Sequence, residues 1–288
     1  MMTRAISVLT VALAVLLAPP PGSATVKKSE TIRKTFSVRA KGAGTRVVVD
    51  NVWGSITVEG TSGDELTLVA KKTVRADSKK EYQMALDEVV LEITEDEALL
   101  EFFVDGPFRC GQDGRRKGRR WRERDYVVEY EFELKVPRGV ELELSTVNDG
   151  DIRVRDVLGD FEVNNVNGGI DMSGLRGSGE AYSVNGDVRL RFEQNPRSDC
   201  RFGALNGEVR VYFTSDLSAD FHLKTFNGEV FTDFPVTRLP DLTFTEVEKK
   251  DGSVCKKMEQ IPAVRAGEGG PVIKLDGFNG DMFILKRT

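Results

Sequence analysis

Tyr182–Phe192 reads YSVNGDVRLRF. Asn and Gly tolerate a left-handed backbone better than other residues, so Asn185-Gly186 marks a sharp corner. After it, Val188, Leu190 and Phe192 alternate with Arg189 and Arg191. Period two describes a strand with one buried face. "GEAYSV" before the corner reads as another strand. The unit is therefore strand, corner, strand.

The unit recurs. Asn-Gly stands at Asn167-Gly168, Asn185-Gly186, Asn206-Gly207, Asn227-Gly228 and Asn279-Gly280, and Asn148-Asp149-Gly150 is an expanded copy. The glycines are 18, 18, 21, 21 and then 52 residues apart. A period near 20 is that of a solenoid. "LGD" at Leu158–Asp160 and "RGSG" at Arg176–Gly179 supply a second turn within a period.

Two folds fit: a β-solenoid of stacked coils, or an antiparallel meander of Asn-Gly hairpins. The phase favours the solenoid. Val147, Val166, Val184, Leu205, Phe226 and Phe278 precede the asparagines, and Ile170, Val188, Val209, Val230 and Met282 follow three places later, with Ile152 one place further on in its copy. Coils in register set like residues in rows, whereas a meander does not require it. The expected fold is all-β: a β-solenoid of coils of about 20 residues with a strand-rich N-terminal excursion.

"NVWGSITVEG" at Asn51–Gly60 reads as a first coil, with Trp53-Gly54 in place of Asn-Gly. Between it and the main array, Ser78–Val90 suits a short helix with Tyr82, Leu86 and Val89 on one face. Strands are expected at "VVLEITED", "ALLEFFV" and on both sides of a Pro137–Gly139 turn. A second excursion, Thr232–Pro271, has Asp251-Gly252 at its hairpin tip. The expected division is a signal peptide over 1–24, an N-terminal β region over 25–144 with the first coil, and repeats over 145–288 with an insertion at about 232–271.

Within 288 residues, 40% are hydrophobic and 30% charged, a globular composition. Arg4, the apolar run Val8–Ala18 and Gly22-Ser23-Ala24 have the order of a secretory signal peptide cut near Ala24. The run is too short to span a bilayer, and no later stretch is long and apolar enough. Cleavage removes Arg4 alone, taking net charge from −5 to −6. That mild acidity gives no reason to expect nucleic-acid binding. Cys110, Cys200 and Cys255 are an odd set, and Cys200–Cys255 is the expected pair if one forms. With His222 the sole histidine, a zinc site is not expected, nor any other cofactor.

"NVWGSITVEG", "VPRGVELELSTVNDGDIRV" and the Val-Asn-Gly-Asp-Ile/Val units resemble a family of exported bacterial putative adhesins, a domain of otherwise unknown function, from roughly Thr35 to the C-terminus. The resemblance implies a β-solenoid-like fold and binding at the cell surface or envelope. It brings no catalytic residues. The Arg-rich loop and the long insertion before the last unit depart from the family's pattern.

The corner acids Asp151, Asp187, Glu208, Glu229 and Asp281 would line up in stacked coils, with Gly169 interrupting the file. Such a column could collect Ca²⁺, but Arg153, Arg189 and Arg210 two places on favour mutual neutralisation. Arg115, Arg116, Lys117, Arg119, Arg120, Arg122 and Arg124 surround Trp121. Guanidinium groups bind phosphate and carboxylate in pairs of hydrogen bonds, so this loop is the candidate anion site. His222 has no nucleophile motif around it and reads as a strand histidine.

The sequence thus describes a non-enzymatic envelope or surface binding module, periplasmic or extracellular. Its expected partner is an anionic envelope component or another envelope protein. The alternatives are a periplasmic regulatory partner docking through the Arg-rich loop, or an enzyme acting on acidic polysaccharide.

Overall fold

The computed structural model describes residues 25–38, 44–109, 124–250 and 253–287, with the backbone alone over 241–261. Residues 1–24, read above as a signal peptide, and most of the Arg-rich loop lie outside these residues. The described chain is all-β, with one helix and two large sheets. None of its helices is long and apolar enough to cross a membrane.

From Glu141 to Phe213 the strands alternate between sheets. The first sheet receives β9 (Ile152–Arg155), β11 (Ile170–Leu175), β13 (Val188–Phe192) and β15 (Val209–Phe213). The second receives β8 (Glu141–Thr146), β10 (Phe161–Asn167), β12 (Gly179–Asn185) and β14 (Cys200–Asn206). Each of β8 to β13 pairs in parallel with the strand two places on. The pairing aligns Ile152, Ile170, Val188 and Val209 as one inward file. All four are 1% exposed or less. Period-two alternation on both sheets encloses one continuous core, and phenylalanines such as Phe192 and Phe213 stack within it, ring centroids 5.3 Å apart.

At both ends the spatial order departs from the chain order. β2 (Arg46–Asp50) and β3 (Ile56–Thr61) lie between β8/β9 and the later strands β6 (Leu99–Asp105) and β7 (Tyr126–Pro137). At the far end, β20 (Val272–Asn279) and β21 (Met282–Lys286) lie between β14/β15 and the earlier strands β16 (Ala219–Lys224) and β17 (Val230–Thr232). The 52-residue interval is therefore a return: the chain passes over one layer, makes an excursion, and comes back to fill it.

Antiparallel strands cover the ends. β4 (Glu65–Ala76) pairs with β7, and β1 (Val26–Ser37) with β4. β5 (Val90–Asp96) pairs with β6. The helix α1 (Lys79–Glu88) begins at Ser78, whose hydroxyl accepts the amide N–H of Glu81. It packs on β4 and β7, burying Ala85 with Val89 just after it. At the other end β18 (Val236–Lys250) and β19 (Ser253–Ala266) form a long hairpin beside β16. Its tip, Asp251-Gly252, lies outside the described residues.

Cys200 is a free, buried thiol, contrary to the expected Cys200–Cys255 bridge. It faces the core, with its sulfur between the Gly179 amide N–H and the Ser198 carbonyl, each 3.5 Å away. Burial pushes its pKa up.

Candidate binding face

The corners stand in a single file. Nδ2 of Asn167 donates to Oδ1 of Asn148, and the pattern continues from Asn185 to Asn167, Asn206 to Asn185, Asn279 to Asn206 and Asn227 to Asn279, over 2.7–2.9 Å. Each inner amide uses one donor and one acceptor on its neighbours. One N–H and further acceptor capacity are left over at each corner.

The glycines stack beside them, for a different reason from the one the sequence suggested. Gly186 is not in the left-handed region; Gly280, with φ of 139°, is. The shared requirement is close approach. A Cβ at Gly186 would lie 2.3 Å from the Gly168 carbonyl oxygen, and one at Gly280 would lie 2.2 Å from that of Gly207. Sequence reasoning also missed the inward polar residue two places before each of the first three asparagines. Thr146 donates to the Gly54 carbonyl, Asn165 to those of Gly150 and Gly169, and Ser183 to that of Gly168. Polar residues at inward positions of an alternating strand were the available signal.

The residues before the asparagines form an outward file: Val147, Val166, Val184, Leu205, Phe278, Phe226. Its last two members are the most open, Phe278 at 43% and Phe226 at 73% exposure. Their rings stack with centroids 4.9 Å apart and planes 3° from parallel. The next outward row carries Ser145, Asn164, Tyr182 and Gly203 in register. The Tyr182 ring occupies the space a side chain at Gly203 would need, within 2.9 Å of its Cβ position. This side of the second sheet is thus an apolar file between the amide ladder and a polar row, uncharged from Ser145 to Gly203 and completed beside the phenylalanines by Asp276, paired with Arg201, and Lys224.

Much of the charge is paired. On the first sheet Arg153, Asp171, Arg189 and Arg210 share a register row. Arg153 pairs with Asp151, Arg189 and Arg191 with Asp171, and Arg210 with Glu208. The corner acids also cap backbone. Asp151, Asp187 and Asp281 accept the N–H groups of Gly169, Glu208 and Glu229, over 2.9–3.0 Å. Among the described residues no cluster of three or more His, Cys, Asp or Glu could hold a metal ion.

Of the basic loop, Arg115, Arg116, Lys117, Arg119, Arg120, Trp121 and Arg122 lie outside the described residues. The two bases of the loop are inside them. Arg109 donates to both Asp50 carboxylate oxygens at 2.9 and 3.0 Å and to the Val104 carbonyl, and its guanidinium lies 4.4 Å from the Phe103 ring centre. Ser145 donates to the same Asp50. Arg124, a candidate anion ligand by sequence, donates to Glu88 at 2.6 Å; the Tyr126 hydroxyl donates to the other Glu88 oxygen. Arg124 therefore anchors the loop to α1.

His222 faces outward, aligned with Lys274 and Arg201. Burial and then the Lys274 charge lower its pKa from the usual value near 6.5. The folded state thus resists its protonation. The stability this contributes is present above about pH 6.5 and is lost as pH falls through the lowered folded value. His222→Gln is expected to reduce the loss of stability between neutral and acidic pH, read as urea midpoints at each pH.

No protein-family model and no curated protein matches the chain. Among solved structures, a putative cell adhesion protein of Clostridium sporogenes is 10% identical, covers 90% of this chain and 100% of its own, and has a TM-score of 0.39. A putative adhesin of Bacteroides fragilis is 11% identical, covering 90% and 97%, with a TM-score of 0.37. A putative lipid-binding protein of Parabacteroides distasonis is 11% identical, covering 90% and 97%, with a TM-score of 0.27. Scores this low give the likeness no weight for fold, family or ligand.

Proposed function

We propose that the chain is an exported, non-enzymatic binding module of the bacterial envelope or cell surface, built as a β-solenoid of coils of about 20 residues. The parallel in-register pairing and the file of asparagines support the solenoid. The observation that carries the binding role is the apolar outward file beside the asparagines, ending in two open, stacked phenylalanines. A regular stack holds such a face rigid, so little order has to be gained on binding. Export rests on the N-terminal sequence alone.

The test is envelope fractionation with protease shaving of intact cells. Recovery in the envelope, or removal by external protease, is the expected result; an intact cytosolic pool refutes the proposal.

A second reading, docking of a periplasmic regulatory partner, draws on the loop whose bases Arg109 and Arg124 pin to Asp50 and Glu88. Its basic residues Arg115, Arg116, Lys117, Arg119, Arg120 and Arg122, with Trp121, suit an anionic envelope component or an acidic protein surface. Replacing those six cations with Gln is expected to reduce crosslinked partner recovery. Equal recovery removes this reading.

A further inference from the structure

We infer that the outward apolar file of the second sheet, with its amide ladder, binds an extended, uncharged glycan chain along the stack axis; the inference rests on the binding-module reading and names its ligand class. Shape comes first. The six corner asparagines make five steps of about 4.8 Å, so the strip is about 24 Å long. Its apolar part is a single file of side chains. A long, narrow strip suits a linear polymer and offers little to a compact ligand.

Chemistry comes next. A pyranose chain has C–H faces that lie on apolar and aromatic groups, and equatorial hydroxyls that both donate and accept. The strip answers both needs. Phe226, Phe278 and the Tyr182 ring lying over Gly203 are aromatic platforms. The ladder amides keep a free N–H and acceptor capacity on one flank. Ser145, Asn164 and the Tyr182 hydroxyl stand on the other. The period agrees as well: an extended β-1,4-linked chain advances by nearly one strand spacing per sugar, so successive hydroxyls can meet successive coils.

Charge selects within the class. The ladder and the apolar file carry no ionisable group; the flanking row carries only the Tyr182 phenol as far as Gly203, and then Asp276, neutralised by Arg201, and Lys224 beside the phenylalanines. Aligned corner acids lie just past the glycines, at Asp187, Glu208 and Asp281. They disfavour an acidic polymer here. A lipid surface fits less well, because it would strip water from the flanking amides without replacing their hydrogen bonds.

The test is isothermal titration calorimetry of the full chain, without its signal segment, with cellohexaose, chitohexaose and polygalacturonate. The wild type is expected to bind at least one neutral hexamer, with little dependence on salt. Phe226→Ser/Phe278→Ser and, separately, Tyr182→Ala are each expected to weaken that binding by about tenfold, as aromatic anchors do. Both act on exposed or half-exposed side chains, and melting curves check that each variant is folded. Failure of both neutral hexamers to bind overturns the inference, as does binding that neither variant weakens. Preference for polygalacturonate, lost at high salt, also overturns it and moves the ligand to the basic loop. Sedimentation that shows a dimer abolished by the Phe226/Phe278 variant would replace the glycan by a second copy. The binding-module reading fails separately, if the shaving experiment finds the protein in the cytosol.

Discussion

Gly186→Val is expected to lower the melting temperature by about 6–12 °C. The added Cβ would stand 2.3 Å from the Gly168 carbonyl oxygen, which is backbone and cannot rotate away. That carbonyl also accepts the Ser183 hydroxyl at 2.8 Å, so moving it strains a second bond. Forcing the coils apart disturbs the amide bridges from Asn185 to Asn167 and from Asn206 to Asn185. Overpacking of this kind costs about 3 kcal/mol, and each kcal/mol lowers the melting temperature of a large domain by about 2–4 °C. Gly139→Val is the matched control. No atom lies within 4 Å of its Cβ position, and its melting temperature should stay near that of the wild type. Equal melting of both variants and the wild type would refute the close-packed glycine file.

Much of the arrangement was legible in the residues. Asn-Gly pairs marked the corners, and alternation assigned Val188, Leu190 and Phe192 to the core, where all three are fully buried. The hydrophobic columns fell into register as their positions relative to the asparagine suggested. The reason for the glycines was misread, because a sequence cannot distinguish a glycine needed for its φ from one needed for its missing Cβ. The order of layers was hidden for a related reason. Every coil presents the same backbone edge, so nothing local says that Asn279 stacks on Asn206, 73 residues away, and leaves Asn227 outside. The row Ser145, Asn164 and Tyr182 was legible in the repeat, since each stands three places before a corner asparagine; what the sequence hid is that Asp276 precedes Lys224 in that row.

The layer order makes a strong demand on the C-terminus. Ending the chain at Gly270 is expected to abolish cooperative folding of the C-terminal layers and expose them to protease. Had β20 and β21 been the last layer in space, their loss would have exposed one end of the stack. Instead they lie inside it. Without them β17 loses its strand partner, and β16 keeps only the antiparallel β19. The backbone bonds from Gly207 to Asn279, Val209 to Asp281, Gly280 to Asn227 and Met282 to Glu229 vanish together. Ile273, Leu275, Met282 and Ile284, each 1% exposed or less, are removed from the core. At about 1.5–3 kcal/mol per side chain, that is roughly 6–12 kcal/mol of burial, comparable to the whole stability of a typical domain. Deleting Val26–Ser37 is the comparison of similar length. β1 is an edge strand with mostly exposed side chains, so its loss should leave a folded protein with a lower melting point. Limited proteolysis and thermal melts of the two truncations would decide the matter. A C-terminal truncation as stable as the N-terminal one would show that β20 and β21 do not close an internal layer.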